Sequence, residues 1–230
     1  MMPGRRARHE PDPNELATVM AMSVWTVVLA AGSGTRFGGH KQFAMLGHQR
    51  LVDWPVATAG QVTDGVVVVL PPDVTWTGAA VAAAVTGGAT HPASVAAGLA
   101  ALPPDADIVV VATAVHPLAS ADLYRAVIAA VGRGADAAAP AVASADAIKR
   151  VAEDLVVASV DKSDLRIVQA PSAFRVTALR SALAAGNGAP EELELIERAG
   201  GTVVTVPGEA TNIHVATPTD LTVAERLLEI

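Results

Sequence analysis

The chain has 230 residues, of which 51% are hydrophobic and only 3% aromatic, so we expect one α/β domain with a core of small aliphatic side chains. Its formal net charge of −7 argues against nucleic-acid binding, which requires a basic face. The absence of cysteine excludes disulfides and zinc–thiolate sites and agrees with a reducing cytoplasm, where we expect the protein to act.

Residues 1–22 contain charges and prolines but neither an apolar signal-peptide core nor any periodicity. We interpret them as a flexible extension, with Met20 and Met22 as alternative translation starts. Residues 23–230 are predicted to form a single domain. Its apolar runs are about ten residues long, half of what a membrane span requires, so no membrane association is expected.

Runs of β-branched residues alternate with alanine-rich stretches, which is typical of a parallel sheet covered on both faces. The predicted strands are 24–30, 66–70, 108–112, 137–142, 203–206 and 213–215. The predicted helices are 51–61, 77–85, 92–101, 119–133, 175–185, 191–199 and 218–228. Thr217 is expected to cap the last helix, with Asp220 in its first turn.

Residues 144–164 break this alternation, because two short strand-like runs flank the acidic pair Glu153-Asp154. This pattern predicts a β-hairpin. The hairpin is either a surface flap or an arm whose apolar side is buried in a second subunit. An isolated hairpin is only marginally stable in water, which favours the arm and therefore a homodimer.

The first predicted strand leads into Ala30-Ala31-Gly32-Ser33-Gly34-Thr35-Arg36. Such small residues let backbone N–H groups approach a polyanion, and Arg36 and Lys41 add positive charge. No Gly-Lys-Ser/Thr is present, as a Walker loop would need, and Phe37 stands where a dinucleotide fingerprint needs its third glycine. A tight turn alone would explain the glycines, but the two cations favour phosphate binding.

A collinear series of motifs from Val24 to the C-terminus resembles the 2-C-methyl-D-erythritol 4-phosphate cytidylyltransferase family. The family's motifs A-A-G-x-G-x-R, P-K-Q, G-G-x-x-R-x-x-S-V-x-x-G-L, H-D-A-A-R-P, D-T-I-K, D-R-x-x-L, Q-T-P-Q-x-F and N-I-K-I-T-x-x-x-D-L correspond to residues 30–36, 40–42, 87–99, 112–117, 146–149, 161–165, 169–174 and 212–221. The resemblance implies a doubly wound, mostly parallel Rossmann-like sheet of the nucleotidyltransferase type with an inserted hairpin arm.

The resemblance also implies the family's activity, in which a cytidylyl group passes from CTP to 2-C-methyl-D-erythritol 4-phosphate (MEP) and pyrophosphate leaves. Its partners are then CTP and this small phosphorylated acceptor, and Mg²⁺ is its cofactor. The implied site residues are Arg36, Lys41 and His214 for catalysis, Ala30, Ala31, Gly32, Ser33, Gly34, Gly88 and Ser94 for the nucleotide, His116, Lys162 and Asp146 for the acceptor phosphate, and Thr113 for the metal.

Several of these positions depart from the family pattern. Thr113 stands in place of the metal-binding aspartate, His214 in place of the catalytic lysine, and His91, His116 and Lys162 in place of arginines. Ala170 replaces the threonine of Q-T-P, and residues 190–194 replace the motif T-D-D-A-S. The alternative to the family's activity is therefore an impaired or re-specialised homologue that binds a nucleotide and acts on another substrate or on none. A metal site formed by His91, His116 and His214 is a further alternative.

Overall fold

The computed structural model describes residues 22–32, 37, 39–186 and 190–229. Its strands are β1 (Val24–Leu29), β2 (Met45–Leu46), β3 (Gln49–Arg50), β4 (Gly65–Leu70), β5 (Ala83–Thr86), β6 (Ile108–Thr113), β7 (Ala137–Ala143), β8 (Lys149–Ala152), β9 (Leu155–Ser159), β10 (Arg166–Val168), β11 (Ser172–Arg175) and β12 (Val203–Pro207). Its helices are α1 (Asp53–Ala59), α2 (His91–Ala100), α3 (Ala121–Gly132), α4 (Val176–Ala185), α5 (Glu192–Arg198) and α6 (Pro218–Leu228), together with a 3-10 turn at Lys41–Phe43.

The central sheet has the strand order β10-β7-β11-β6-β1-β4-β5, and β12 also pairs with β7. β1 is parallel to both β4 and β6, whereas β11 runs antiparallel between β6 and β7. Neighbouring side chains of β1 point to opposite faces of the sheet. Val28 packs in a core with α1 and α3, and Val27 packs in a core with α2, α4 and α5. Both faces are therefore covered, and the predicted doubly wound, mostly parallel sheet is confirmed.

Most predicted elements are present within a few residues of their expected ends, but two predictions are wrong. Residues 77–85 form no helix; Ala83–Thr86 is instead the edge strand β5, parallel to β4. A short run of alanine and valine is compatible with either a helix or a strand, and here the segment forms a strand because it pairs with β4. Residues 213–215 belong to no strand; Val215 N–H bonds to Val115 O at 2.8 Å outside the sheet, and Ile213 N–H bonds to Thr211 O at 2.9 Å in a local turn.

The predicted hairpin is confirmed as β8 and β9, which pair with each other and with no other described strand. Its turn contains Glu153 in the left-handed region, at φ 51°. Val151, Leu155, Val156 and Val157 are between 49% and 70% exposed in the single chain. We call the segment Lys149–Ser159 the arm.

A smaller apolar cluster joins α6 to the segment that follows Lys41 and to the segment that contains His214. It contains Leu46, Leu51, Val215 and Ala224. Thr217 caps α6 and Asp220 lies in its first turn, as predicted, and the two residues also form a capping box. The Asp220 carboxylate also accepts the N–H of Ala216 at 2.9 Å, so the backbone that follows His214 is held in place. None of the described helices has the length and hydropathy of a membrane-spanning segment.

Candidate active site

A cavity of about 440 Å³ opens at the carboxyl ends of β1 and β6, where Leu29 pairs with Thr113. Ligand sites of open parallel sheets are found at this edge. We call it the glycine cavity. Its described lining residues are Leu29, Ala30, Ala31, Gly32, Lys41, Gln42, Gly88, Ala89, Thr90, His91, Ser94, Thr113, Ala114 and Val115.

Two glycines make close approach possible before α2: Gly87 lies against the segment after β1, and Gly88 lies against the first turn of α2. A Cβ on Gly87 would lie 2.4 Å from the Cβ of Ala31 and 2.9 Å from Ser94 Oγ. A Cβ on Gly88 would lie 2.4 Å from the Cβ of Ala93. The two Cβ–Cβ distances of 2.4 Å are shorter than non-bonded carbon atoms tolerate, so positions 87 and 88 require glycine. Ser94 Oγ donates to Gly88 O at 3.3 Å, and both residues, which the motifs predict to bind the nucleotide, line the cavity.

Gln42 holds the backbone that follows β1. Its buried Nε2 donates to Ala30 O at 2.8 Å and to Gly32 O at 2.9 Å. Sequence reasoning gave Gln42 no role, although its place directly after Lys41 was a usable signal. Ala30, Ala31 and Gly32 lie where a nucleotide-binding segment was predicted, whereas the predicted residues Ser33, Gly34 and Arg36 lie outside the described residues.

Lys41 connects the glycine cavity to the segment that carries His214. Its Nζ donates to Val215 O at 3.1 Å, while Val215 N–H bonds to Val115 O. The contact spans 174 residues of sequence. The structure therefore brings the predicted catalytic residues Lys41 and His214 to the same region.

A second cavity, of about 510 Å³, adjoins the first through His91, Thr113 and Val115, which line both. We call it the histidine cavity. Its lining residues are His91, Val111, Thr113, Val115, His116, Val168, Gln169, Ala170, Ser172, Pro190, Glu191, Glu192, Leu193 and His214.

His116 and His214 lie side by side in the histidine cavity, with ring centroids 5.0 Å apart. The pKa of His116 is lowered to about 4, mainly by burial and also by the nearby positive charges of His214 and Lys41. With no phosphate bound, His116 is therefore neutral at pH 7. Its Nδ1 lies 3.3 Å from Thr113 Oγ1, a hydrogen bond that a neutral imidazole can form.

His91 differs from His116 because it has a carboxylate partner. Its Nε2 lies 2.7 Å from Glu192 Oε1. This hydrogen bond raises the pKa of His91, and the charges of Glu192 and Glu191 act in the same direction. The structure therefore provides His91 with a carboxylate partner that stabilises its charged form.

The described residues do not fit a magnesium ion held by protein carboxylates. Thr113 carries no charge, and the described lining of the glycine cavity includes neither Asp nor Glu. Mg²⁺ prefers carboxylate, phosphate and water oxygens. The described chain also contains no group of three or more His, Asp or Glu placed to hold a metal, so the three-histidine metal site is not supported.

Lys162 and Asp146 lie at the base of the arm and line neither cavity. Lys162 Nζ donates to the backbone carbonyls of Ser144, Ala145 and Asp146 at 2.7–3.1 Å. Within one chain, Lys162 therefore fixes the start of the arm. Its role and that of Asp146 toward an acceptor phosphate stay predictions.

The family model described as 2-C-methyl-D-erythritol 4-phosphate cytidylyltransferase matches residues 24–230, which include both cavities. The chain belongs to this family. The enzyme of that name from Nocardia farcinica is 36% identical over 220 residues, which cover 90% of this chain and 94% of the relative. The enzyme structure from Thermus thermophilus superposes with a TM-score of 0.78 at 30% identity, covering 91% of this chain and 100% of that one.

Some relatives in the family are longer. The bifunctional enzyme IspD/IspF of Dinoroseobacter shibae is 38% identical over 221 residues, which cover 92% of this chain but only 55% of the relative. This chain therefore spans about half of the bifunctional protein and matches its cytidylyltransferase portion. The predicted family and the predicted fold are both confirmed.

Proposed function

We propose that this chain transfers a cytidylyl group from CTP to MEP and releases pyrophosphate, as the family's name describes. The observation that carries the proposal is the pair of adjoining cavities at the carboxyl edge of β1 and β6. The glycine cavity is proposed to hold the nucleoside triphosphate, and the histidine cavity is proposed to hold the small acceptor. Family membership favours this activity over the impaired alternative.

In this reaction, an oxygen of the acceptor's phosphate attacks the α-phosphorus of CTP. A new P–O bond forms while the bond between the α-phosphorus and the bridging oxygen breaks, and pyrophosphate carries that electron pair away. The protein must align two polyanions and offset their charge. Lys41 provides a compact cation in the glycine cavity, and the backbone near Gly32 and Gly88 provides close approach.

The acceptor is proposed to bind in the histidine cavity, with its phosphate toward His91, His116 and His214. Neutral imidazoles donate one hydrogen bond each, whereas imidazolium ions add charge. A bound phosphate favours the charged form, so acceptor binding and histidine protonation should be coupled. Because no protein carboxylate lies in place for Mg²⁺ among the described residues of the glycine cavity, no step is assigned to the ion.

We further propose that the arm packs against a second copy of the chain. Its valine and leucine side chains are exposed in the single chain, and so are Ile167 and Val168 on β10, at 54% and 48%. Exposed apolar side chains concentrated on one hairpin are typical of a protein interface. Light scattering should give the mass of a dimer, and Leu155→Asp with Val156→Asp should give a folded monomer.

The compartment of this activity is proposed to be the cytoplasm, in keeping with a chain that has no cysteine. Cell fractionation with the chain detected by antibody would place it directly.

The proposed reaction is tested by measuring pyrophosphate release with CTP, MEP and Mg²⁺. Turnover should require both substrates and should fall at least about tenfold when UTP, ATP or GTP replaces CTP. Lys41→Met should remove turnover. Arg125→Met is the matched control, because Arg125 is an exposed cation on α3 paired with Asp122, away from both cavities. A chain that binds CTP but releases no pyrophosphate with this acceptor would contradict the proposal.

A further inference from the structure

His91 lies in the wall that the two cavities share, and its side chain pairs with Glu192 of the histidine cavity. His91 lines both of them, whereas Glu192 lines only the histidine cavity. The two residues are 101 positions apart in sequence, at the starts of α2 and α5, and their side chains meet at 2.7 Å. The contact therefore joins the segment after Gly88 to the segment that covers the acceptor side.

The hydrogen bond occupies only one nitrogen of the imidazole. Nε2 faces Glu192, and Nδ1 forms no hydrogen bond with any residue that the structure describes. A ring held by a carboxylate at one nitrogen is fixed in orientation. Its other nitrogen is a donor when the ring is protonated, and that is the form that Glu192 favours. The His91 side chain is 45% exposed and that of Glu192 is 12% exposed, so the ring is accessible and the carboxylate is enclosed.

We propose that Glu192 is a positioning residue that holds the imidazole of His91 at the shared wall, so that Nδ1 donates to the acceptor's phosphate. This inference rests on the proposed function, because it assigns that phosphate to the histidine cavity. Glu192 touches no reacting atom in this account and acts through His91.

Other titratable groups line the two cavities near His91 and Glu192. Glu191 lies beside Glu192 and also favours a charged His91. Lys41 lines the glycine cavity, and His116 and His214 line the opposite part of the histidine cavity. Removing the Glu192 carboxylate therefore leaves Glu191 as the acidic neighbour that favours a charged His91.

The test is an imidazole NMR titration of the full chain with inorganic phosphate as the probe, in the presence of saturating CTP so that the glycine cavity is occupied. In the wild type, phosphate should shift the His91 resonances. Glu192→Gln should lower the pH midpoint of His91 and weaken phosphate binding at about pH 7.5 by about tenfold, the size expected for one charge-assisted hydrogen bond. Glu192→Asp should restore part of the affinity.

Glu194→Gln is the matched control, because Glu194 lies on the same helix and pairs with Arg198 instead. It should leave the midpoint of His91 and the phosphate affinity unchanged. Equal behaviour of Glu192→Gln and Glu194→Gln would overturn the inference, and so would a His91 signal that phosphate does not move. A wild type that shows the Glu192-dependent phosphate response but no turnover of MEP would count against the proposed function alone.

Discussion

The glycine cavity and the histidine cavity share a wall but differ in the residues that supply their polar and charged groups. The glycine cavity keeps the family's glycines, Lys41 and Ser94, and its shape depends on close approach at Gly87 and Gly88 and on the buried Gln42. In the histidine cavity, the positions where the family has permanent cations carry His91, His116 and His214. The glycine cavity is therefore shaped by close packing and has one permanent cation, whereas the cationic positions of the histidine cavity are imidazoles, whose charge depends on pH and on their surroundings.

The largest effect is expected from removing the lysine of the glycine cavity. Lys41→Ala takes away both the cation facing the nucleotide and the bond to Val215 O that holds the His214 segment. Loss of one such electrostatic contact lowers turnover by about 100-fold or more. Steady-state kcat/KM for CTP measures this, and CTP should no longer raise the melting temperature. An unchanged kcat/KM would show that the cavity is not the nucleotide site.

The next effect concerns stability in acid and comes from the histidine cavity. His116 has a folded-state pKa of about 4, below its ordinary value, so the unfolded chain takes up this proton first as pH falls below about 6.5. The free energy of unfolding should fall from about pH 6.5 toward about pH 4, by at most about 3 kcal/mol from this residue. Urea unfolding across this range measures the fall.

His116→Asn should remove most of that dependence. His48→Asn is the control, because His48 is exposed and packs edge-on against Trp54. If the His116 variant loses stability in acid as steeply as the wild type, the burial of a neutral imidazole is not the cause.

A smaller effect is expected from filling the close contact in the glycine cavity. Gly87→Ala places a methyl group 2.4 Å from the Cβ of Ala31, so the two backbone segments must separate. Overpacking of this kind costs about 1–3 kcal/mol. Gly39→Ala is the matched control, because a Cβ there meets nothing within 4 Å. Thermal unfolding with and without CTP should show a lower melting temperature and weaker protection for Gly87→Ala only.

The smallest effect is expected from returning a carboxylate to the histidine side of the shared wall. Thr113→Asp places an acid beside His116, whose Nδ1 lies 3.3 Å from the present hydroxyl, and so raises the pKa of that histidine. It also provides a ligand of the type that Mg²⁺ prefers. We expect the Mg²⁺ concentration for half-maximal turnover to fall by about tenfold. The same Mg²⁺ titration of the wild type establishes whether the natural enzyme needs the ion, and an identical curve for Thr113→Asp would rule out position 113 as a metal position.

Sequence reasoning found the parallel sheet because its strands are buried on both faces and read as continuous apolar runs. It missed β11, because Ser172–Arg175 owes its strand to pairing between β6 and β7 and shows no alternation of its own. The motifs predicted Lys41, Ser94, His116 and His214 as site residues, and the structure places all four at the two cavities. They gave no sign of the pairing of His91 with Glu192, since a contact across 101 residues is set by tertiary packing.

The most direct test of the contrast between the cavities is the pH dependence of the two Michaelis constants, measured by pyrophosphate release in the wild type and in His91→Arg. Between about pH 6 and about pH 8, the acceptor KM of the wild type should rise relative to that of His91→Arg, because the arginine keeps its charge and the histidine loses it. The CTP KM should change less than about twofold in both proteins over the same range. Titration of the acceptor's own phosphate affects both proteins alike, so the difference isolates His91. Parallel acceptor KM profiles in the two proteins, or a CTP KM that changes as much as the acceptor KM, would contradict the account.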